Sequence, residues 1–391
     1  MKILMLAPEP FFQPRGTPIS VYFRLKALSA IGHKVDLITY PLGRNKLFPG
    51  LKIIRVPRLP GLRRIKIGPS FVKIPLDLMM AALTLARLAW IRYDLVFSHE
   101  EAAFFGAFFA KCRRVPHVYD MHSSLPQQLD NFKFTRSDFI KGVFRFLEKF
   151  VLKNSASVIV ICPDLYKQVE RMGFSGKSFL LENFCEFDCR PLSQSEKTRL
   201  RSRFAASGQK LVLYTGNFES YQGIDLFLRA AAGVRDLRVI FLLVGGTPEE
   251  VREKSRMAGD LGIAGRVHFT GQVPPSRVPH YIEIADVLVS PRTEGTNTPL
   301  KIYSFLKSGK PTVASDLWTH TQVLDENIAV LGKPVPEKMA AAVTFACFHP
   351  EAKHRAEKAA AMAAERYSFF RYKKILAEIL RNAGEAGGSS Q

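Results

Sequence analysis

Short apolar runs alternate with stretches of helical periodicity along most of the chain. In the first half, residues 1–7, Val35–Thr39, Leu95–Phe97, His117–Tyr119, Ser157–Cys162 and Phe179–Leu181 predict buried strands. Between them, Ile19–Ile31 sets Val21, Leu25 and Leu28 on one helical face and ends at Gly32. Ile74–Trp90 and Ala102–Ala110 read as apolar helices, and Pro163 opens another. The pattern restarts with strands Leu211–Thr215, Leu237–Val244, Val267–Phe269 and Val287–Val289, and with helices over Ile224–Ala232 and Pro275–Ala285. Such alternation builds parallel sheets covered by helices, so the predicted class is α/β. Residues 186–208 lack strong apolar periodicity and contain Pro191, Ser193, Ser195 and Ser207-Gly208; the domain boundary is expected there. Pro336–Arg381 predicts helix, and the last residues, 382–391, predict disorder.

One stretch, Val289–Ser315, carries the densest local information. Its strand ends at Ser290-Pro291 and passes into the small polar loop Thr293-Glu294-Gly295-Thr296-Asn297. Thr298 is expected to cap the following helix, with Pro299 at its first position, where a missing N–H costs nothing. Gly309 and Pro311 then stop the helix, and Thr312-Val313-Ala314 starts the next strand. In a parallel sheet this places a helix N-terminus, with its unpaired N–H groups, beyond the strand ends, where it favours an anion.

Charge narrows the partners. The 391 residues hold 56 Lys and Arg against 35 Asp and Glu, a net charge of +21, which suggests an acidic partner. Residues 44–73 carry nine cations (Arg44, Lys46, Lys52, Arg55, Arg58, Arg63, Arg64, Lys66 and Lys73) and no acid, with apolar residues interleaved. This composition suits an anionic bilayer surface. It suits nucleic acid less, because Phe48 and Phe71 are its sole aromatics. Lys133–Lys153, with six phenylalanines in or beside it, reads either as an extension of that face or as an amphipathic core helix. No uncharged apolar run approaches the ~20 residues of a membrane span, and the first apolar run is too short for a signal peptide. The expected location is the cytoplasm, peripheral on the inner membrane face. Cys112, Cys162, Cys185, Cys189 and Cys347 are expected to be free thiols in a reducing compartment.

Chemistry-bearing residues gather at strand ends, where open α/β sheets place ligands. His99-Glu100-Glu101 follows one strand and Asp120-Met121-His122 another. Gly16, after the first strand, allows backbone N–H groups to approach a phosphate, and Arg15 adds a charge. Neither GxGxxG nor GxxxxGK[ST] is present, so no dinucleotide fingerprint or P-loop is available.

Taken together, these residues resemble the glycosyltransferase family 4 enzymes of the GT-B fold. The resemblance is carried by Gly16-Thr17, Asp120-Met121-His122, Tyr214-Thr215-Gly216 with Gln222-Gly223, Leu243-Val244-Gly245-Gly246, and Pro299–Tyr303 with Gly309-Lys310-Pro311. It implies two Rossmann-like domains facing across a cleft: an acceptor domain over 1–190 and a donor domain over 191–365. A crossing helix and disordered tail over 366–391 return to the first domain. The implied reaction is transfer of a sugar, with retention, from a nucleotide-diphosphate sugar to a lipid-linked or polysaccharide-precursor acceptor. It needs no metal and no cofactor beyond the co-substrate. His122 and Glu294 are then the implied catalytic pair. Gly16, Thr17, Gly216, Asn217, Gln222, Gly245, Thr296, Asn297, Thr298, Lys301 and Ser304 would bind the donor. Arg15, His99 and Asp120 would line the first-domain cleft or meet the acceptor.

Three departures from the family pattern stand out. Asn217 and Gln222 occupy positions where the family has an Arg and a Lys that grip the diphosphate. Ser304 stands where the second of two glutamates belongs, and Glu294 lies ten residues before it rather than eight. Lys301 or Arg15 is expected to compensate for the lost cations. These departures keep a second reading open, a non-catalytic GT-B partner that binds sugar nucleotides. A third, a sugar-nucleotide epimerase, would need carboxylates, and only Glu100, Glu101 and Asp120 offer them.

Overall fold

Strands buried on both faces must be apolar throughout, and β1 (Lys2–Ala7), KILMLA, meets that demand: Ile3 to Ala7 are fully buried. The computed structural model describes residues 1–13, 16–63, 65, 70–124, 126, 137–184 and 189–388. From β1 the chain enters α1 (Gly16–Ala30), β2 (Lys34–Thr39), β3 (Leu51–Arg55), α2 (Lys73–Trp90), β4 (Leu95–His99), α3 (Ala102–Arg113), β5 (His117–Met121), α4 (Asp138–Asn154), β6 (Ser157–Val160), α5 (Pro163–Arg171) and β7 (Ser178–Leu180). These strands form one seven-stranded parallel sheet in the order β3-β2-β1-β4-β5-β6-β7. The connections from β3 through β6 all run in one direction along the sheet. Right-handed crossovers therefore put α2, α3 and α4 on one face and α1 on the other.

The chain then builds α6 (Gln194–Arg201), β8 (Lys210–Thr215), α7 (Ile224–Gly233), β9 (Val239–Val244), α8 (Pro248–Asp260), β10 (Val267–Gly271), α9 (Val278–Ile284), β11 (Val287–Ser290), α10 (Leu300–Lys307), β12 (Thr312–Ser315), α11 (Trp318–Thr321), β13 (Val330–Gly332), α12 (Pro336–Phe348) and α13 (Pro350–Arg366). Its strands form a six-stranded parallel sheet in the order β10-β9-β8-β11-β12-β13. Alternate strand residues feed two apolar clusters: Val212, Tyr214, Phe241 and Val289 in one, Leu211, Leu213, Leu242 and Leu288 in the other. The last helix, α14 (Phe369–Gly388), packs against α1, β5 and β6, with Leu376, Ile379 and Ala383 fully buried.

By their internal packing, Met1–Asn183 with Phe369–Gln391 form one unit and Phe184–Ser368 the other. Both sheets are thus doubly wound and of the Rossmann type. The boundary falls at Asn183/Phe184, ahead of the expected 190/191, and the crossing helix begins at Phe369. Four local expectations are corrected. α1 begins at Gly16 rather than Ile19, so Gly16 and Thr17 are helical. The basic segment holds an edge strand, β3, unseen in a run of cations. α10 begins at Leu300 with the extended residue Pro299 in the cap position, and no side chain caps it, Thr298 included. Residues 382–388 are helical because Ala383 has a buried seat on the first unit. Cys112, Cys162, Cys189 and Cys347 are free thiols, and Cys185 lies outside the described residues.

Candidate functional site

In the first unit the strand order reverses between β1 and β4, and the residues at the carboxyl ends of β4 and β5 meet. Asp120 ends up fully buried beneath Arg24 of α1. The Arg24 Nε donates to Asp120 Oδ2 at 2.8 Å and its Nη2 to Oδ1 at 3.0 Å, a bidentate pair. The remaining Nη1 donates to the Tyr372 hydroxyl of α14 at 2.6 Å. Burial alone would raise the Asp120 carboxyl, but Arg24, with His122 and His99, holds it below the ordinary carboxylate range.

Both candidate histidines border this ion pair. His99 Nδ1 lies 3.1 Å from His122 Nε2 and 3.3 Å from Asp120 Oδ2, and His122 Nε2 lies 3.5 Å from Asp120 Oδ1. The Asp120 carboxylate thus lies beside both facing ring nitrogens. Burial pushes His99 down to about 3, so it stays neutral. The three groups lie within 4.8 Å of one another. Yet both Asp120 oxygens are already engaged by a guanidinium, a poor neighbour for a dication. Asp120 and His99 are therefore interior groups that frame His122, not surface contacts for an acceptor. Glu100, which follows His99, has a left-handed backbone (φ 46°) and accepts from Ser123 at 2.9 Å. Arg15 lies outside the described residues, and a side chain at Gly16 would meet no atom within 4 Å, so no close approach dictates glycine there.

In the second unit the order reverses between β8 and β11. The loop after β8 comes so close to its neighbours that side chains are excluded. A Cβ on Gly245 would sit 1.7 Å from Gly216 O, and one on Gly223, which has φ 72°, 1.8 Å from Pro291 O. The Tyr214 hydroxyl donates to Asn217 O at 2.7 Å and fixes the loop. Asn217 Oδ1 is buried without a hydrogen-bond partner. Across from it, α10 buries Ile302, Tyr303, Phe305 and Leu306, which leaves Lys301 and Ser304 together on the opposite side. Lys301 Nζ lies 3.9 Å from the Tyr214 ring centroid and donates to Gln222 Oε1 at 3.2 Å.

The loop after β11 is stapled from α11. Thr319 Oγ1 donates to Asn297 O at 2.6 Å, Gln322 Nε2 donates to Thr296 O at 2.6 Å, and Arg292 Nη1 donates to Asn297 O at 3.1 Å. Beneath it, His320 bridges Ser290 and Ser315 at 2.9 and 3.2 Å, and burial pushes its ring down to about 3. Glu294 is exposed on this loop, and Ser304 is partly buried. Arg292, Thr319 and Gln322 escaped the sequence reading. Only Arg292 offered a signal, as the lone cation in the loop that follows a strand end. A cavity of about 500 Å³ lined by Met1, His33 and Leu380 lies at the amino ends of β1 and β2, away from both strand-end sites.

The class this architecture defines is a two-domain, doubly wound nucleotide-binding fold. Residues 196–362 match the family described as glycosyl transferases group 1, and residues 23–178 match the glycosyl transferase 4-like domain. Alpha-D-kanosaminyltransferase of Streptomyces kanamyceticus is 24% identical over 299 residues, 72% of this chain and 75% of that protein. Phosphatidyl-myo-inositol mannosyltransferase of Mycolicibacterium smegmatis is 25% identical over 349 residues, 86% of this chain and 81% of that protein. Among solved structures, Anabaena Alr3699/HepE in complex with UDP-glucose matches with a TM-score of 0.75 at 17% identity, covering 97% of this chain and 99% of that one. The chain belongs to the group 1 glycosyltransferases of the GT-B fold, enzymes that act on nucleotide sugars.

Proposed function

We propose that the protein transfers a sugar, with retention and without a bound metal, from a nucleotide-diphosphate sugar to a lipid-linked or polysaccharide-precursor acceptor. The observation that carries the donor assignment is the side-chain-free cradle of Gly216, Gly223 and Gly245 at the switch point of the second sheet. These glycines let the loop after β8 pack close beside the N-terminus of α10, whose unpaired N–H groups suit a leaving diphosphate. Glu294 acts at the donor sugar and Ser304, in place of a carboxylate, at the ribose. In the first unit His122, oriented by Asp120, acts at the reacting face of the sugar. UDP-glucose in the HepE structure and the phosphatidylinositol acceptor named for the mycobacterial relative support this reading of donor and acceptor.

The acceptor is met at an anionic membrane surface, on the cytoplasmic side of the cell membrane. Among the described residues, no helix is long and apolar enough to cross a membrane. Of the basic segment, Arg55 is turned inward onto the carbonyls of Phe11, Tyr40 and Leu42, and Lys73 pairs with Glu101. Arg44, Lys46, Lys52, Arg58 and Arg63 remain exposed, and Arg64 and Lys66 lie outside the described residues. Exposed Leu47, Phe71, Ile74 and Leu78 accompany those cations.

The test is nucleotide-diphosphate release from a panel of sugar nucleotides, with and without a membrane extract, followed by the anomeric configuration of the product. Release that depends on the extract and is unaffected by a chelator is expected. His122→Ala should lower it about 10²-fold or more while donor binding persists. Conversion of the sugar nucleotide without extract, or inversion at the anomeric carbon, would overturn the proposal.

A further inference from the structure

We infer that Arg292 and Lys301 together form the protein's diphosphate-binding site, replacing with side chains from β11's loop and α10 the charge that Asn217 and Gln222 do not supply. The inference rests on the reading that this unit's ligand is a nucleotide-diphosphate sugar.

Position comes first. β8 and β11 are neighbours where the second sheet reverses its order, the place where doubly wound sheets hold ligands. Arg292 lies two residues past the end of β11, and Lys301 sits in the first turn of α10. Charge comes second. Neither cation has an acidic partner among the described residues, whereas Arg201 and Lys254 of the same unit each meet a carboxylate. Two like charges held without a counter-ion are costly, and a protein keeps them where a ligand supplies the missing charge.

The surroundings hold these cations without neutralising them. Lys301 Nζ rests over the Tyr214 ring, and the Arg292 guanidinium lies 5.2 Å from the Tyr221 ring centroid. Donors remain. The Arg292 Nε is buried and has no hydrogen-bond partner, and Lys301 spends one of its three N–H groups on Gln222. Thr298, 7% exposed and next to α10, likewise has a buried hydroxyl with no partner. Gly216 lets the loop after β8 pack against them: a Cβ there would lie 2.9 Å from Lys301 Nζ and 2.8 Å from the Tyr214 hydroxyl. A forked guanidinium, a point ammonium and a free hydroxyl make a set of donors for several oxyanions at once, as in pyrophosphate, rather than for one carboxylate.

Burial, and then the charge of Arg292, lower the Lys301 ammonium well below its ordinary value. The other titratable groups that face this pair are Tyr214, Tyr221 and His320. A bound diphosphate would oppose that shift.

Calorimetry with inorganic pyrophosphate and with a panel of nucleoside diphosphates tests this on the full chain. Lys301→Met and Arg292→Gln should each weaken both ligand types by about 10- to 100-fold. Lys301→Arg should restore most of the affinity, which separates a lost contact from a misfolded protein. Variants that bind nucleoside diphosphate like the parent would overturn the site while leaving the transferase reading intact. Pyrophosphate binding that depends on both cations, in a protein that takes no sugar nucleotide, would uphold the site and overturn that reading. If the parent binds neither ligand, both fall.

Discussion

Glu100 is one residue at which geometry and proton affinity can be read together. It follows His99, the last residue of β4, adopts φ 46° without being glycine, and keeps a hydrogen bond from Ser123. Such a backbone costs about 1–3 kcal/mol and persists where the surroundings enforce it. Burial pushes its carboxyl up to about 7; His122 opposes this and Glu101 adds to it. A carboxyl raised in the folded state above its unfolded value of ~4.3 makes the native protein bind more protons between pH ~4 and ~7. Its favourable contribution is therefore present at low pH and lost as pH rises through neutrality. Glu100→Gln keeps an acceptor for Ser123 and removes the charge. The variant should melt close to the parent at pH ~5 and about 2–6 °C higher at pH ~8. A gain of equal size at both pH values would show that some other group titrates.

Among elements, the last helix is joined to the rest of the first unit by a buried chain of polar contacts as well as by apolar packing. Tyr372 of α14 accepts from Arg24 of α1, and Arg24 grips Asp120 at the end of β5, beside His122. Arg24→Met would leave a buried carboxylate without its partner and should cost about 3–5 kcal/mol in urea unfolding. Tyr372→Phe, which removes one hydroxyl, should cost about 1–3 kcal/mol. Because Asp120 is held below its unfolded value, the stabilisation by Arg24 is complete above pH ~4 and fades as pH falls further. Equal losses for Arg24→Met and for the double variant with Asp120→Asn would show that the carboxylate is not what Arg24 neutralises. None of this chain was visible in the sequence, since its partners lie 96 and 348 positions apart. What was legible depends on local pattern: both sheets' inner strands, the α10 stop at Gly309 and the βα repeats were readable from apolar runs and turn residues. β3 was hidden because an edge strand need not be apolar on both faces, and its KIIR core lies among cations. α6 and α8 are largely polar, so their periodicity was faint. The Thr298 cap failed because Pro299 holds an extended backbone at the cap itself. In the candidate site, His99, Asp120, His122 and Lys301 were found as strand-end or helix-start residues. Arg24, Thr319 and Gln322 were not, because tertiary contacts alone bring them there.

At the scale of the whole molecule, a net charge of +21 asks for an acidic environment, and the first unit has a face that would use one. α2, α3 and α4 share that face of the sheet, and each presents large apolar side chains to solvent: Leu78 at 67%, Phe108 at 51%, Phe139 at 79% and Phe146 at 70% exposure. In α4, Phe139, Val143 and Phe146 fall at spacings of four and three, with Lys141, Arg145 and Lys149 between or beside them, while Glu148, Val151 and Leu152 face inward. A helix that leaves its phenylalanines outside and interleaves them with cations gains little from water and more from a lipid interface. Each cation near an anionic surface contributes about 1 kcal/mol, and apolar insertion adds to it. Nucleic acid would use the charge but not the phenylalanines spread along a helix at this spacing. Co-sedimentation with vesicles should therefore require anionic lipid and weaken as salt rises, because the cations lie exposed. Replacing Phe139 and Phe146 together with Ser should reduce vesicle binding about tenfold or more at fixed salt, and nucleoside-diphosphate affinity, which the proposed site places in the other unit, should stay the same. Arg63→Glu with Lys46→Glu should weaken binding at low salt and flatten its salt dependence. Equal binding to neutral and anionic vesicles, or a phenylalanine pair that can be removed without effect, would mean that this face meets something other than a membrane.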